Sequence, residues 1–293
     1  MTQVLEINHL AKTFKDKVVL KDITFSVQSG EIIALLGENG AGKSTLINCM
    51  NYLIKKDSGD IKLFKEETIS SQIRNRIGVM LQKNIVIPKL KVKEMLELSC
   101  SYYTNPVSFQ QLVEWGQLDE LLELEVSALS GGQQRRLSFS LALVGNPDLI
   151  FLDEPTANMD AKSRRKLWDT VSHIQSIGKT IIVTSHHLEE LESIATRILI
   201  LQKGMIAFDG SICQLRDRLG QGFIEFDSSL MREAFADISA VIRLERRGNH
   251  YVMTTKDINQ VVKELVPLLD KITNLTIQQT SLETLFNHYG EEK

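Results

Sequence analysis

Apolar and polar residues alternate near the start of the chain and then give way to uninterrupted apolar runs. The stretches VLEINHLAKTF and ITFSVQ contain a two-residue period, and KDK at 15–17 separates them, which predicts two antiparallel strands joined by a turn. Three later runs, IIALL, DLIFLDE and TIIVTS, are mostly apolar over the length of a strand. Such runs are typical of parallel strands that are buried on both faces of a sheet.

Segments with helical periodicity lie between these runs. Apolar residues recur every three or four positions over 91–124, and KSTLINCMNYL, QQRRLSFSLALV and RRKLWDTVSHIQSIG also predict helices. Strands that alternate with helices indicate a parallel α/β core, and the segment at about 91–136 would be a helical insertion into that core.

The pattern changes near residue 222. The remaining segments predict the order strand, helix, two strands, helix, strand, and RRGNH would form the turn between the middle strands. This order permits a small ferredoxin-like α+β domain. We therefore expect two domains, 1–221 and 222–293, which suits a chain of 293 residues.

Composition and charge narrow the class of protein. The chain is 43% hydrophobic and 24% charged, as soluble globular proteins are, and its net charge of −3 does not favour nucleic acid as a partner. Its three cysteines lack paired spacing, which indicates a reducing compartment without disulfides or a zinc site. The N-terminus lacks the features of a signal peptide and the apolar runs are short, so we do not expect the chain to cross a membrane by itself.

A glycine-rich stretch after the first buried run carries the clearest chemistry. The segment GENGAGKS at 37–44 fits the pattern G-x-x-x-x-G-K-[ST], between a predicted strand and a predicted helix. Backbone N–H groups of such a loop point at phosphate oxygens. Lys43 would neutralise the outer phosphates and the Ser44 hydroxyl would reach Mg²⁺. A glycine-rich turn that binds nothing is the alternative.

Two acidic residues end a later run, LIFLDE. Hydrolysis of a nucleotide needs a metal ligand and a group that orients water. Asp153 could hold Mg²⁺ directly or through water, and Glu154 could orient the attacking water and act as a general base. Two acids at a strand end could instead begin a turn or a helix, but their place downstream of the phosphate loop favours the catalytic interpretation.

The segment ALSGGQQRR at 128–136 resembles the signature of the ATP-binding-cassette (ABC) ATPases. Ser130, Gly131, Gly132 and Gln133 precede or begin a predicted helix, where a second anion site can form. In this family that site closes over the γ-phosphate bound by an opposite subunit. The resemblance therefore implies that two chains sandwich two ATP molecules head to tail.

Other landmarks of the family occur in order over about residues 3–217. Phe14 matches an aromatic residue that stacks on adenine, and Gln82 matches the Q-loop glutamine, which senses Mg²⁺ and water. His186 matches the switch histidine, although the adjacent His187 makes this assignment ambiguous. The resemblance implies an α/β P-loop cassette ATPase core with N-terminal antiparallel strands and a helical subdomain, followed by the small C-terminal α+β domain.

Two further segments carry the resemblance. ANMD at 157–160 resembles the D-loop, where the family usually has a smaller residue and leucine before the aspartate. The tail SLETLFNHYGEE at 281–292 resembles the closing segment of the ATP-binding subunits of bacitracin- and daunorubicin-resistance exporters, although an ordinary amphipathic helix is the alternative. The residues that match this tail pattern are Leu282, Glu283 and Phe286.

The resemblance implies a set of site residues. The catalytic residues would be Glu154, His186 and Gln82. The ligands of Mg²⁺ would be Ser44, Gln82 and Asp153. The residues that bind ATP would be Phe14, Gly37, Asn39, Gly40, Gly42, Lys43, Ser44, Thr45, Ser130, Gly131, Gly132, Gln133 and Asp160.

These features together predict an ATP-hydrolysing subunit of an ABC transporter, with ATP and Mg²⁺ as cofactors. Its partners would be a separate membrane-spanning permease, which docks on about residues 83–115, and a second cassette subunit, identical or related. We expect a cytoplasmic protein, peripheral on the inner face of the cell membrane, that serves an exporter of a drug, peptide or lipid-like compound. The alternative is a soluble cassette ATPase that acts on nucleic acid or ribosomes, which the acidic balance and the single cassette disfavour.

Overall fold

The computed structural model describes residues 2–82, 87–185, 187–219, 222–279, 281–283 and 286. It divides the chain into two compact units, Met1–Gly210 and Ser211–Lys293. None of the helices within the described ranges is long and apolar enough to cross a bilayer.

The first unit contains two sheets with helices around them. Its strands are β1 (Gln3–Phe14), β2 (Lys17–Gln28), β3 (Ile32–Leu36), β4 (Ser58–Leu63), β5 (Ile77–Met80), β6 (Leu149–Asp153), β7 (Thr180–Thr184), β8 (Arg197–Gln202) and β9 (Met205–Gly210). Its helices are α1 (Lys43–Met50), α2 (Ser71–Asn75), α3 (Val92–Ser101), α4 (Phe109–Gly116), α5 (Gly131–Leu143), α6 (Ala161–Ser176) and α7 (Leu188–Glu192).

The smaller sheet of this unit is antiparallel, with the order β2-β1-β4. Strands β1 and β2 form the hairpin that the alternating pattern predicts. Lys15 lies at its turn with a φ of 50°. The inward side chains of both strands are buried, including Leu5, Ile7, Leu20 and Ile23.

The larger sheet has the order β5-β6-β7-β3-β8-β9. All its neighbouring strands are parallel except β8 and β9. Every residue of β3, β6 and β7 is buried, as their apolar runs predict. Because β3 and β6 run in the same direction, the phosphate loop after β3 and the acids at the end of β6 meet at one edge of the sheet.

The predicted helical insertion contains α3, α4 and the start of α5, with two 3₁₀ turns, Asp119–Leu121 and Val126–Ala128, before α5. Its helices are shorter than the periodicity alone suggests, because Pro106 lies in the segment between α3 and α4 and Gln117 ends α4 in the left-handed region with a φ of 54°. A separate apolar cluster that includes Val92, Leu96 and Leu121 holds these elements together.

The second unit is a four-stranded antiparallel sheet with helices. Its elements are α8 (Ile212–Leu219), β10 (Gly222–Ser228), a 3₁₀ helix (Arg232–Phe235), β11 (Val241–Arg247), β12 (His250–Thr255), α9 (Ile258–Leu265), a second 3₁₀ helix (Val266–Lys271) and β13 (Ile272–Gln279). The sheet order is β11-β12-β10-β13. From β10 onward, the elements follow the strand-helix-strand-strand-helix-strand order of ferredoxin-like folds, with a 3₁₀ helix in the first helical position.

Candidate active site

The phosphate loop joins the buried strand β3 to helix α1. Gly42 is the N-cap residue of this helix and has a φ of 108°, a conformation that favours glycine. A Cβ atom at this position would also lie 3.1 Å from Leu20 and 3.2 Å from Val19. The chain therefore turns sharply at Gly42, and the N–H groups of the first turn of α1 are available to an anion in the loop.

Lys43 lies within the same loop. Its Nζ donates hydrogen bonds to the carbonyl oxygens of Gly37 at 2.6 Å and Glu38 at 3.1 Å. Burial lowers the pKa of the Lys43 ammonium, and the negative charges of Glu154 and Asp153 oppose this effect. The ammonium group thus lies between the loop carbonyls and the two acids at the end of β6.

A cleft of about 320 Å³ brings most of the predicted residues together. Val19 on β2, which sequence reasoning missed, also lines it. An apolar residue in an alternating strand gives no signal for such a role. The other lining residues all belong to the predicted set: Asn39, Gly40, Gly42, Lys43, Ser44, Thr45, Gln82, Asp153 and Glu154.

Thr184 orients the two acids. Its hydroxyl donates to Oδ1 of Asp153 at 2.7 Å and accepts a hydrogen bond from the backbone N–H of Glu154 at 3.0 Å. Asp153 is 4% exposed and Glu154 is 7% exposed. Sequence reasoning missed Thr184, although its place at the end of a predicted buried strand was a usable signal.

Arg135 of α5 contacts the backbone of the same region. Its Nη1 donates to the carbonyl oxygens of Leu81 at 2.8 Å and Gln82 at 3.1 Å. Its Nη2 donates to the carbonyl oxygens of Asp153 and Glu154. Sequence reasoning missed this residue, because backbone carbonyls as partners leave no pattern in a sequence.

The donor set of the cleft fits Mg²⁺. The Ser44 hydroxyl, the Gln82 amide and the Asp153 carboxylate supply oxygen atoms, which this ion prefers, and all three residues line the same cleft. The loop and Lys43 supply the N–H groups and positive charge that phosphates prefer. The cleft can therefore hold a nucleotide together with its metal ion.

The signature residues lie elsewhere. Ser130 is the exposed N-cap residue of α5, its Oγ accepts a hydrogen bond from the Gln133 N–H at 3.3 Å, and its own N–H donates to Gln133 Oε1 at 2.8 Å. A Cβ atom on Gly132 would lie 2.6 Å from the carbonyl oxygen of Asn158, so only glycine permits this close approach. Within the described part of the chain, these residues, Gly131 included, do not line the cleft of Lys43.

Asn158 and Met159 are the D-loop residues that depart from the usual family pattern, and both suit their positions in the structure. Asn158 has a φ of 61°, a conformation that asparagine tolerates better than most residues other than glycine. Met159 is 7% exposed and fills an apolar position. Asp160 caps α6 by accepting hydrogen bonds from the N–H of Ser163 at 3.0 Å and from its hydroxyl at 2.7 Å. These bonds lower the pKa of the Asp160 carboxyl group.

The two remaining predicted residues lie apart from this arrangement. Phe14 is 44% exposed at the end of β1, with Nζ of Lys12 5.2 Å from its ring centroid, and it is not among the described residues that line the cleft. His186 lies outside the described residues. Its neighbour His187 precedes α7, and its N–H donates to the Ser185 hydroxyl at 3.0 Å.

Comparisons with known proteins agree with these features. The family model described as "ABC transporter" matches residues 20–157. The linearmycin resistance ATP-binding protein LnrL of Bacillus subtilis is 31% identical over 303 aligned residues, which cover 97% of each chain. The Nod factor export ATP-binding protein I of Bradyrhizobium diazoefficiens is 36% identical over 222 residues, which cover 73% of this chain and 72% of that protein.

A solved structure has the same fold. It is a dimeric ATP-binding cassette in a post-hydrolysis state, bound to ADP and Pi, and it matches with a TM-score of 0.65 and 24% identity over 71% of this chain and 98% of that one. The similarity to LnrL spans nearly the full length of both proteins. The chain therefore belongs to the ATP-binding subunits of ABC transporters, which are ATPases.

Proposed function

We propose that the protein dimerises around two Mg-ATP molecules and drives a separate membrane-spanning permease, as the cytoplasmic subunit of an exporter on the inner face of the membrane. One observation carries the dimer: Lys43 and Glu154 line a cleft that the described signature residues, beginning at Ser130, do not reach. A second copy or a related cassette would supply the missing signature. The dimeric state of the similar solved cassette supports this arrangement.

The cleft residues divide the chemistry between them. The N–H groups of the loop and Lys43 bind the phosphates. Ser44, Gln82 and Asp153 would hold Mg²⁺, which would supply positive charge to the transferring phosphoryl group. Glu154 orients the attacking water and accepts its proton. We assign the switch role to His186 from the family pattern.

Three further assignments complete the nucleotide site. The exposed ring of Phe14 stacks on adenine. The first turn of α5 binds the γ-phosphate held by the opposite chain through Ser130, Gly131, Gly132 and Gln133. Asp160, the last residue of the D-loop, contacts the opposite subunit.

A groove of about 600 Å³ in the first unit is our candidate for the permease contact. Leu53, 57% exposed, and Leu81, 37% exposed, line it, and Leu81 is adjacent in sequence to Gln82. The Asn51 side chain also lines it, and its Oδ1 is a buried acceptor without a hydrogen-bond partner among the described residues. A short amphipathic permease helix that presents apolar side chains and one donor would fit this groove. This groove is not the surface expected at about 83–115: none of the described residues of that range lines it, and 83–86 fall outside the described residues.

The relatives support an export function. One is named for resistance to linearmycin and another for export of a Nod factor. The tail residues Leu282, Glu283 and Phe286 match the closing pattern of the drug-resistance type. We therefore propose a drug, peptide or lipid-like compound as the cargo.

Purification of the tagged full chain from gently solubilised membranes tests the transport function. We expect a stoichiometric multi-span protein to co-purify with the wild-type chain and to be lost from Leu53→Arg, which puts a charge into the groove. Leu124→Arg is the control, because Leu124 is 42% exposed and does not line the groove. Co-purification of ribosomes or nucleic acid instead would support the soluble cassette ATPase.

A further inference from the structure

Arg135 is the largest of the fully buried side chains in the described chain, with 2% of its surface exposed. Its two terminal nitrogens donate to four backbone carbonyls in two separate segments. One segment contains Leu81 and Gln82, and the other contains Asp153 and Glu154. A single guanidinium group therefore holds the backbone of the two segments that contribute Gln82, Asp153 and Glu154 to the cleft.

A buried positive charge is unfavourable unless neighbouring groups compensate for it. Burial lowers the pKa of the Arg135 guanidinium, and the charges of Asp153 and Glu154 oppose this effect. Four carbonyl dipoles also face the group. Only a planar fork with several N–H donors can serve them together, so lysine is a poor substitute here.

We propose that Arg135 is a positioning residue that fixes Gln82 and Glu154 relative to each other. This inference rests on the proposed function, because it takes the roles of Gln82 and Glu154 from there. The described contacts of Arg135 with these two segments are made to backbone carbonyls, and Arg135 is not among the described residues that line the cleft. Its loss should therefore slow the chemical step without weakening nucleotide binding.

The position of Arg135 on α5 gives this contact a second consequence. The N-cap residue of the same helix is Ser130, which we assign to the nucleotide of the opposite subunit. Helix α5 thus connects two nucleotide sites. Its N-terminus, at Ser130, would contact the ATP bound by the opposite subunit, and Arg135 contacts the backbone of Glu154 beside the ATP bound by its own subunit. Through Arg135, the rate of hydrolysis at one site would depend on the position of α5. The two ATP sites of the dimer would then hydrolyse ATP cooperatively.

Arg135→Lys in the full chain tests the proposal. We expect kcat to fall by about 10- to 100-fold, since small misplacements of catalytic groups cost that much. Equilibrium binding of ATP should stay within about threefold of wild type, because the phosphate loop is unchanged. The Hill coefficient for ATP should fall towards one.

Arg197→Lys is the matched control. Arg197 also bonds a backbone carbonyl, that of Ser26 at 2.9 Å, and pairs with Asp209 at 2.6 Å, but it does not approach the cleft residues in the described contacts. Both variants should unfold at a lower temperature than wild type. Only Arg135→Lys should have a lower kcat than the wild-type protein. If Arg135→Lys fails to fold, Arg135→Met replaces the buried group with an apolar one of similar length, and the same loss of kcat is expected.

A double-mutant cycle separates positioning from a general loss of structure. Arg135→Lys should lower kcat much less in a Gln82→Ala background than in wild type, because part of its effect passes through Gln82. The same fold-decrease in both backgrounds, a folded Arg135→Lys with wild-type kcat, or a parallel loss of ATP binding would each overturn the proposal. If Glu154→Gln also hydrolyses ATP at the wild-type rate, the proposed function itself fails. If Glu154→Gln is inactive, only the role of Arg135 is lost.

Discussion

Glu154 is buried and has an unusual backbone conformation. Its φ of 54° lies in the left-handed region, where a non-glycine residue costs about 1–3 kcal/mol and persists only if its surroundings fix it. The Thr184 hydroxyl binds its N–H, and Arg135 binds its carbonyl oxygen. This local strain is compatible with a carboxylate that must be held at a defined point of the cleft.

Glu154→Gln keeps the shape of the side chain and removes the base. We expect ATP turnover to fall by about 10²- to 10⁴-fold. ATP binding should persist, and ATP-dependent dimers should accumulate, as size-exclusion chromatography with and without ATP would detect. Glu189→Gln on the exposed side of α7 is the control and should behave as wild type. Turnover of Glu154→Gln close to wild type would contradict the assignment.

Asn158 has a left-handed backbone conformation, which few residue types tolerate. Because its φ is 61°, Asn158→Gly should change the free energy of unfolding little, whereas Asn158→Val should lower it by about 1–2 kcal/mol. Urea denaturation of both variants measures the difference. Equal stabilities would mean that the D-loop relaxes out of the left-handed conformation. The asparagine would then need another explanation.

In helix α5, one residue, Ser130, both caps the helix and belongs to the proposed anion site. Ser130→Ala should lower the free energy of unfolding by about 1 kcal/mol through loss of the cap. It should also lower ATPase activity, because the hydroxyl that meets the opposite nucleotide is gone. Thermal unfolding and steady-state ATPase assays measure the two effects separately.

Ser108→Ala controls for the capping effect. Ser108 caps α4 through an acceptor contact with the Gln111 N–H at 3.3 Å, the same distance as the Ser130 contact in α5. We expect a similar loss of stability with no loss of ATPase activity. If both variants lose only stability, Ser130 is a helix cap and not part of a binding site.

The elements that sequence analysis predicted best are those with an unambiguous pattern. Strands β3, β6 and β7 are buried throughout, so their residues form continuous apolar runs. Strand β5 went unpredicted, because it has four residues of which only alternate ones are buried. The contacts of Arg135 could not be predicted from the sequence for a different reason. Its carbonyl partners lie 18 to 54 residues away, and every residue type offers the same carbonyl group.

Each of the two units has an apolar core of its own. The core of the second unit centres on Phe226, Phe235 and Tyr251, whose ring centroids lie 4.9–5.4 Å apart. The main core of the first unit consists of other residues, which come from its own strands, α1 and α2. We therefore propose that the two units are separate domains. Their division after Gly210 places α8 in the second unit, whereas the change of pattern near residue 222 predicts a boundary after this helix.

Phe235→Ala tests this division. Removal of a buried aromatic ring costs about 3–5 kcal/mol, a large part of the stability of a small domain. We expect faster hydrogen exchange in β10 and β12, measured by mass spectrometry, with unchanged exchange in β3 and β6 and unchanged ATP binding. Leu269→Ala, at a side chain that is 43% exposed, is the control and should alter neither unit. Equal acceleration of exchange in both units, with loss of ATP binding, would mean that the chain folds as one cooperative body and that the second core supports the nucleotide site.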